Sequence, residues 1–292
     1  MKLNPKLVVI LAALFCSFSA IFVRFSTAPS VPMAAYRMCI SALILLPVVL
    51  KKHLSELKAI DKKVLALCGI NGVFLGFHFA TYFESLKHTS VASAVVLVDT
   101  QVIFVALIMW LVLKERIPKK GIIGIAITLL GSVIIALADK SGGGSNVLYG
   151  DILALCGSLF FAFYASVGYV ARKDLSTTVY TFIVYTSAFI TLTCVALISR
   201  TPMLGYDPIN FFWAVMLAVF CTMLGHSLYN WSLKFVSPVF MSTAVLLEPV
   251  FSTIMAIFLF KEIPIAIQII GIIIIITGVG IYSSVKDAKS SE

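Results

Sequence analysis

The chain is 292 residues long, 61% hydrophobic and only 12% charged, with a mean hydropathy of +1.07. A soluble domain carries about 25% charged residues and could not hide this much apolar surface, so a water-soluble globule is excluded and the solvent is lipid. The formal net charge of +9 does not point to nucleic acid, because the basic residues sit in short caps between apolar runs, the pattern that orients a membrane protein.

A helix needs about 20 apolar residues to cross a bilayer. Ten runs meet that need: 7–25, 32–50, 64–84, 91–113, 121–138, 150–170, 179–198, 211–233, 239–260 and 265–283. They are separated by Pro, Gly, Ser and Lys clusters such as "TAPSVP" (27–32), "KERIPKK" (114–120) and "DKSGGGSN" (139–146), which are typical helix stops. The runs are continuously apolar and do not alternate, which excludes a closed β-barrel. Residues 1–26 place Lys2 and Lys6 before an apolar stretch, as a leader peptide does. Many spans follow and no small-residue cleavage site is visible, so this run is expected to remain as the first helix. Cys16, Cys39, Cys68, Cys156, Cys194 and Cys221 are scattered singly inside apolar runs and read as small apolar side chains, with no disulfide framework and no metal site. No cofactor is expected.

With the N-terminus inside, sixteen Lys and Arg fall on the inner side. Five fall outside (Arg24, Lys87, Lys140, Arg200 and Lys261), and Arg37 lies within a span. This bias predicts a multi-pass protein of the cell membrane with both termini cytoplasmic.

Sliding the chain along itself by 147 positions places "YFESLKHTS" (82–90) on "YNWSLKFVS" (229–237). It places Lys114-Glu115 on Lys261-Glu262, Gly124 on Gly271 and Gly131 on Gly278. The register holds without a gap over about 50 residues. The expected fold is therefore an all-α integral membrane protein whose ten transmembrane helices form two inverted five-helix repeats. Residues 7–138 make the first, 139–149 a flexible Gly/Ser linker, and 150–283 the second. Five spans per copy turn the second upside down, an arrangement common in secondary transporters with a midplane site.

Together with Tyr36-Arg37 of "AAYRM", the paired L-K-x-x-S turns, "LLEPVF" (246–251), the paired K-E turns and the Gly-x6-Gly helices, this pattern resembles the drug/metabolite transporter superfamily in its ten-helix EamA branch. The resemblance covers roughly residues 7–283 and implies movement of a small molecule by alternating access, often as metabolite export. The family pattern often has a proline at the position of Pro249 in both repeats, where it kinks the helix; the first repeat here has Val102.

The candidate site residues are the polar groups inside the spans, since a charge at the centre of a spanning helix costs about 2.5–3.5 kcal/mol on insertion scales. Asp99 lies about 12 Å below the outer end of its run, and Glu248 about 13 Å from the cytoplasmic end of its own, at 1.5 Å per residue. Both flank the midplane and are candidates for substrate or proton binding. The strict repeat partner of Glu248 is Gln101. Two residues turn a helix about 200°, so Asp99 and Gln101 point apart, and which of them faces a cavity stays open. Arg37 can snorkel, pair with Glu84 or Asp99, or meet a substrate anion; the ion pair is the favoured reading. Glu84 and Lys87 read as a surface i,i+3 pair. His78 and His226 can relay protons or simply satisfy a neighbouring carbonyl. Tyr82, Tyr229 and Asn230 can contact a flat organic substrate, or the tyrosines can anchor helix ends at the interface. Glu115 and Glu262 read as solvated turn residues. The four paired glycines read as close helix packing, within one protomer or across a homodimer.

These features predict a secondary active transporter, an exporter of a small polar or amphipathic metabolite, coupled to protons. An uncoupled exchanger and a lipid-carrier translocase are the alternatives on the same fold. A membrane-embedded enzyme would need a cluster such as H-E-x-x-H, which the four histidines do not form. No P-loop is present for ATP-driven pumping. The expected partners are the small-molecule substrate and the bilayer, with no nucleic acid.

Overall fold

The computed structural model describes residues 4–89, 91–137, 146–172, 175–261 and 263–285. Ten of its helices are long and apolar enough to cross a membrane, and no strand occurs among the described residues. The first three spans are Pro5–Phe25, Ser30–Lys52 and Lys62–His88. The fourth is made of Val91–Asp99 and Gln101–Leu111, and the fifth is Lys119–Leu137. The sixth and seventh are Val147–Ala171 and Thr177–Ile198. The eighth joins Pro208–Met216, a π-helical stretch Leu217–His226, and Ser227–Ser232. The ninth is Pro238–Val245 followed by Glu248–Phe260, and the tenth is Ala266–Ser283.

Short polar side chains start these helices. Asn4, Asp61, Asn146, Ser176, Asp207 and Ser237 each accept a backbone N–H of the following turn, which satisfies a donor the helix itself leaves unpaired. Pro5, Pro208 and Pro238 occupy the first turn, where the missing N–H costs nothing. The expected linker 139–149 lies largely outside the described residues, as do Glu262, Lys140, Lys173 and Lys286. Its last residues, 147–149, are already helical behind the Asn146 cap.

Two runs that look continuous in the sequence are interrupted. The fourth span breaks at Thr100, whose hydroxyl donates back to the Leu97 carbonyl at 2.5 Å and meets the Ser158 hydroxyl at 3.0 Å. Such back-bonding bends a helix. The ninth breaks at Leu246-Leu247, immediately before Glu248-Pro249. Proline here opens the second half-helix, where its missing donor is tolerated. The two breaks fall 147 residues apart, so the first repeat breaks at the matching place with Val102 in place of proline. Both spans also end alike: Lys114 (φ 57°) and Lys261 (φ 58°) take the left-handed backbone.

The packing follows the same offset. The second span packs on the seventh and the fifth on the tenth, while the sixth lies on the third as the first lies on the eighth. At the fifth–tenth contact, a Cβ on Gly124 would meet the Gly278 carbonyl at 2.9 Å, and one on Gly131 would meet the Gly271 carbonyl at 2.8 Å. Each pair maps onto the other under the 147 shift, which is what a twofold relation between halves produces. The glycine faces are thus used within the protomer. Lys6 Nζ donates to the carbonyls of Ser283 (2.6 Å) and Val285 (2.8 Å), so the starts of the first span and the end of the tenth lie on one side.

A side chain at Gly278 would have to push backbone apart, since its Cβ would lie 2.6 Å from the Thr128 nitrogen. Gly278→Leu is expected to cost about 1–3 kcal/mol and to lower the melting temperature of the purified protein. Gly280→Leu, with nothing within 4 Å of its Cβ, leaves it unchanged. Equal melting of the two variants would show that close backbone approach does not hold these spans.

Candidate functional site

The interior of the bundle is polar where the helices are irregular. The π-helical stretch of the eighth span presents Thr222, whose carbonyl accepts from the hydroxyls of Ser227 (3.1 Å) and Tyr185 (3.5 Å). The same carbonyl also accepts the Ser227 backbone N–H, and a π turn frequently marks a functional position. Tyr185 also meets the Ser227 hydroxyl at 3.0 Å, tying the seventh span to the eighth.

Glu248 opens the second half of the ninth span and is half-buried, with Tyr229 donating to its Oε1 at 3.3 Å. Asp99, at the break of the fourth span, is buried and accepts a hydrogen bond from Ser132 of the fifth. The two carboxyl groups lie within coulombic range of each other. The break at Thr100 lies between Asp99 and Gln101. Both are buried, at 7% and 2% exposure, but only Asp99 has a hydrogen-bond partner, and the Gln101 Oε1 atom has none.

Arg37 departs from the favoured expectation. Its Nε donates to the Thr222 hydroxyl at 2.7 Å, and its guanidinium carbon lies 4.8 Å from the centre of the Phe79 ring. It forms no ion pair among the described residues. Asp99 is engaged by Ser132, and Glu84 pairs with Lys87 at 2.5 Å and His88 at 3.3 Å. The Glu84–Lys87 surface pair is as the spacing predicts.

The His78 Nδ1 atom lies 2.9 Å from the Gly157 carbonyl, the structural alternative for that residue. The His226 Nδ1 atom is buried without a partner. Its ring packs against Phe79 (5.7 Å), Tyr164 (6.2 Å) and Tyr229 (6.3 Å). Tyr229 is 2% exposed, so it is an interior residue and not an interfacial anchor, because its hydroxyl finds Glu248 inside the bundle. Tyr82 is half-buried and stacks on His78 at 6.2 Å. Asn230 accepts from Tyr164 at 3.0 Å. Glu115 is not simply solvated, since Tyr169 of the sixth span donates to it at 2.8 Å. The residues that sequence reasoning missed are Thr222, Tyr164, Tyr185 and the buried Asn71–Tyr180 pair (2.5 Å). The hydroxyl-rich content of the seventh and eighth runs is the signal that could have found them.

Hydrogen bonds tie loops to helix ends on both sides of the bundle. At one end, Asn210 Oδ1 accepts from the backbone nitrogens of Thr27 (2.8 Å) and Ala28 (3.2 Å), and Tyr36 donates to the Met203 carbonyl. At the other, the short helix Leu54–Ala59 carries Glu56, which accepts the Ser176 N–H at 2.6 Å and meets His53 at 2.9 Å.

A ten-span helical bundle with partnerless polar atoms at its centre and a loop clasp at each end belongs to the class of membrane transporters. The chain belongs to the EamA-like transporter family, whose sequence model matches residues 5–137 and again 148–284. It is 30% identical to an uncharacterised transporter of Clostridium kluyveri, over 86% of this chain and 82% of that one. It is 28% identical to the uncharacterised transporter YyaM of Bacillus subtilis, over 84% and 82%. A solved crystal structure superposes with a TM-score of 0.80 over 99% of both chains at 18% identity, a likeness of fold alone.

The clasp at Glu56 carries a pH dependence. Burial pushes its carboxyl up, but the hydrogen bonds from Ser176 and the neighbouring His53 outweigh this and hold it below the ordinary value. A depressed carboxyl stabilises the folded state above its unfolded pKa, and that contribution fades as pH falls through the folded value. The melting-temperature difference between wild type and Glu56→Gln is therefore expected to persist above the ordinary carboxylate range and to shrink below about pH 4.5. A difference that does not change with pH would show that no titrating charge holds this end.

Proposed function

We propose that the protein is a secondary active transporter that exports a small metabolite by alternating access, in exchange for protons. The two halves, residues 7–138 and 150–283, act as inverted repeats that rock about the interior site. The observation that carries this reading is the pair of broken spans. The fourth and ninth helices break 147 residues apart, and acidic side chains flank both breaks, Asp99 at one and Glu248 at the other. Broken spanning helices that face a shared interior are how secondary transporters present polar groups and free carbonyls to cargo. A carboxyl at each break supplies a site where proton and substrate compete. The clasps at the two ends support two alternately opened entrances. Metabolites released by cells with and without the protein provide the first test, and a released compound is then followed in proteoliposomes. A pH gradient is expected to drive its uptake by the wild type. Glu248→Gln is expected to abolish that driven uptake while sparing exchange of bound substrate, and Asp99→Asn to reduce it. Wild-type gradient dependence in both variants would make the carboxyl groups structural.

We further propose that both termini are cytoplasmic, on the bias of Lys and Arg toward that side. In a variant lacking the six native cysteines, Leu204→Cys in the exposed loop before the eighth span is expected to react with an impermeant thiol reagent from outside. Lys58→Cys is expected to stay protected until the cells are opened. The opposite pattern would invert the topology.

A further inference from the structure

Arg37 is an interior cation that no carboxylate contacts among the described residues, and its surroundings say what can. It is 3% exposed. Its Nε is fixed by Thr222, and the Phe79 ring covers one face of the guanidinium. Neither contact neutralises the charge, because a hydroxyl and a ring face contribute only dipole and quadrupole. No acid pairs with it among the described residues: Glu84 is held by Lys87 and His88, Asp99 accepts from Ser132, and Glu248, which feels the Arg37 charge at longer range, accepts from Tyr229. The other titratable groups in coulombic range of Arg37 are Cys16, Tyr185, Cys221, His78 and His226, none of which is an anion at neutral pH.

The guanidinium lines a narrow cleft between the first, second, third and eighth spans, together with the hydroxyl-bearing residues Ser19 and Ser30. Holding Nε on Thr222 sets the plane of the guanidinium, and its two terminal nitrogens form a rigid fork. That fork matches the two oxygens of a carboxylate in a bidentate pair, a geometry an ammonium could not impose. Buried charges are kept where they are paired or meet a ligand, and an intramembrane ionisable residue that borders a cleft marks a substrate path. We propose that Arg37, oriented by Thr222, is the anion subsite of the transport route, and that the cargo carries a carboxylate. This assignment rests on the transporter reading and adds the chemical class of the substrate to it.

The test uses the purified full chain in detergent and compares 3-phenylpropionate with its neutral isostere 3-phenylpropanamide and with inorganic phosphate. The carboxylate is expected to raise the melting temperature saturably, and the amide and phosphate are not. Arg37→Gln is expected to weaken the response to the carboxylate at least tenfold and Arg37→Lys to weaken it less, since charge remains but the fork is lost. If Arg37→Gln does not fold, Thr222→Val serves in its place, keeping the cation but releasing its orientation, with a several-fold loss expected. Equal responses to carboxylate and amide, or an unchanged response in both Arg37→Gln and Thr222→Val, would overturn the proposal, and saturation by phosphate in place of the carboxylate would overturn the carboxylate assignment. Export of a neutral or cationic metabolite that survives Arg37→Gln would sink the anion subsite and leave transport standing. Loss of any difference in released metabolites would sink the transport reading, and the melting series would still decide the subsite.

Discussion

In hydrocarbon no water is present to satisfy a broken backbone hydrogen bond, and each unsatisfied group costs several kcal/mol. That constraint makes every span a helix and confines every departure from helix to the protein interior. The departures are few, and side chains meet the polar groups they expose. Thr100 donates to the Leu97 carbonyl where the fourth span breaks. Tyr185 and Ser227 serve the Thr222 carbonyl in the π-helical stretch. Pro249 begins a half-helix, where its lack of a donor does no harm.

The same constraint groups the polar residues. Once the helices are irregular in the middle, hydroxyls and aromatic rings gather there to cover what is exposed, and charged groups become tolerable beside them. Arg37 reaches Thr222 because the π turn offers it, and Tyr229 reaches Glu248 because the ninth span breaks before it. Not every polar atom is answered: Gln101 Oε1 and His226 Nδ1 have no partner among the described residues. Unmet groups in a buried interior are costly. Around this centre the outer faces are plain. The tenth span shows Ile267, Ile269, Ile270, Ile273 and Ile276 outward, and its small residues seat it against the fifth.

Much of this architecture could be read from residue order. Ten apolar runs, their breakers and the 147-residue register each follow from local chemistry, and the spacing of the paired glycines marks them as packing positions without naming their partners. Asp99 and Glu248 stood out because a charge among apolar neighbours is conspicuous in a one-dimensional pattern. Thr222, Tyr164 and Tyr185 did not, because hydroxyls are ordinary in spanning helices and nothing local says which face they take.

What the sequence by itself determined is the set of helices and the 147-residue register between their sequences, because hydrophobicity, turn residues and repeat register act over short stretches of chain. The tertiary structure decided the partners. The spacing allowed Arg37 an ion pair with Glu84 or Asp99, and the fold instead gave it Thr222, 185 residues away, and the Phe79 ring. The opposed directions of Asp99 and Gln101 on an unbroken helix became two buried side chains once Thr100 interrupted it. Which groups meet across a bundle depends on how far each helix bends and rotates against its neighbours, and those angles are set by contacts between distant parts of the chain.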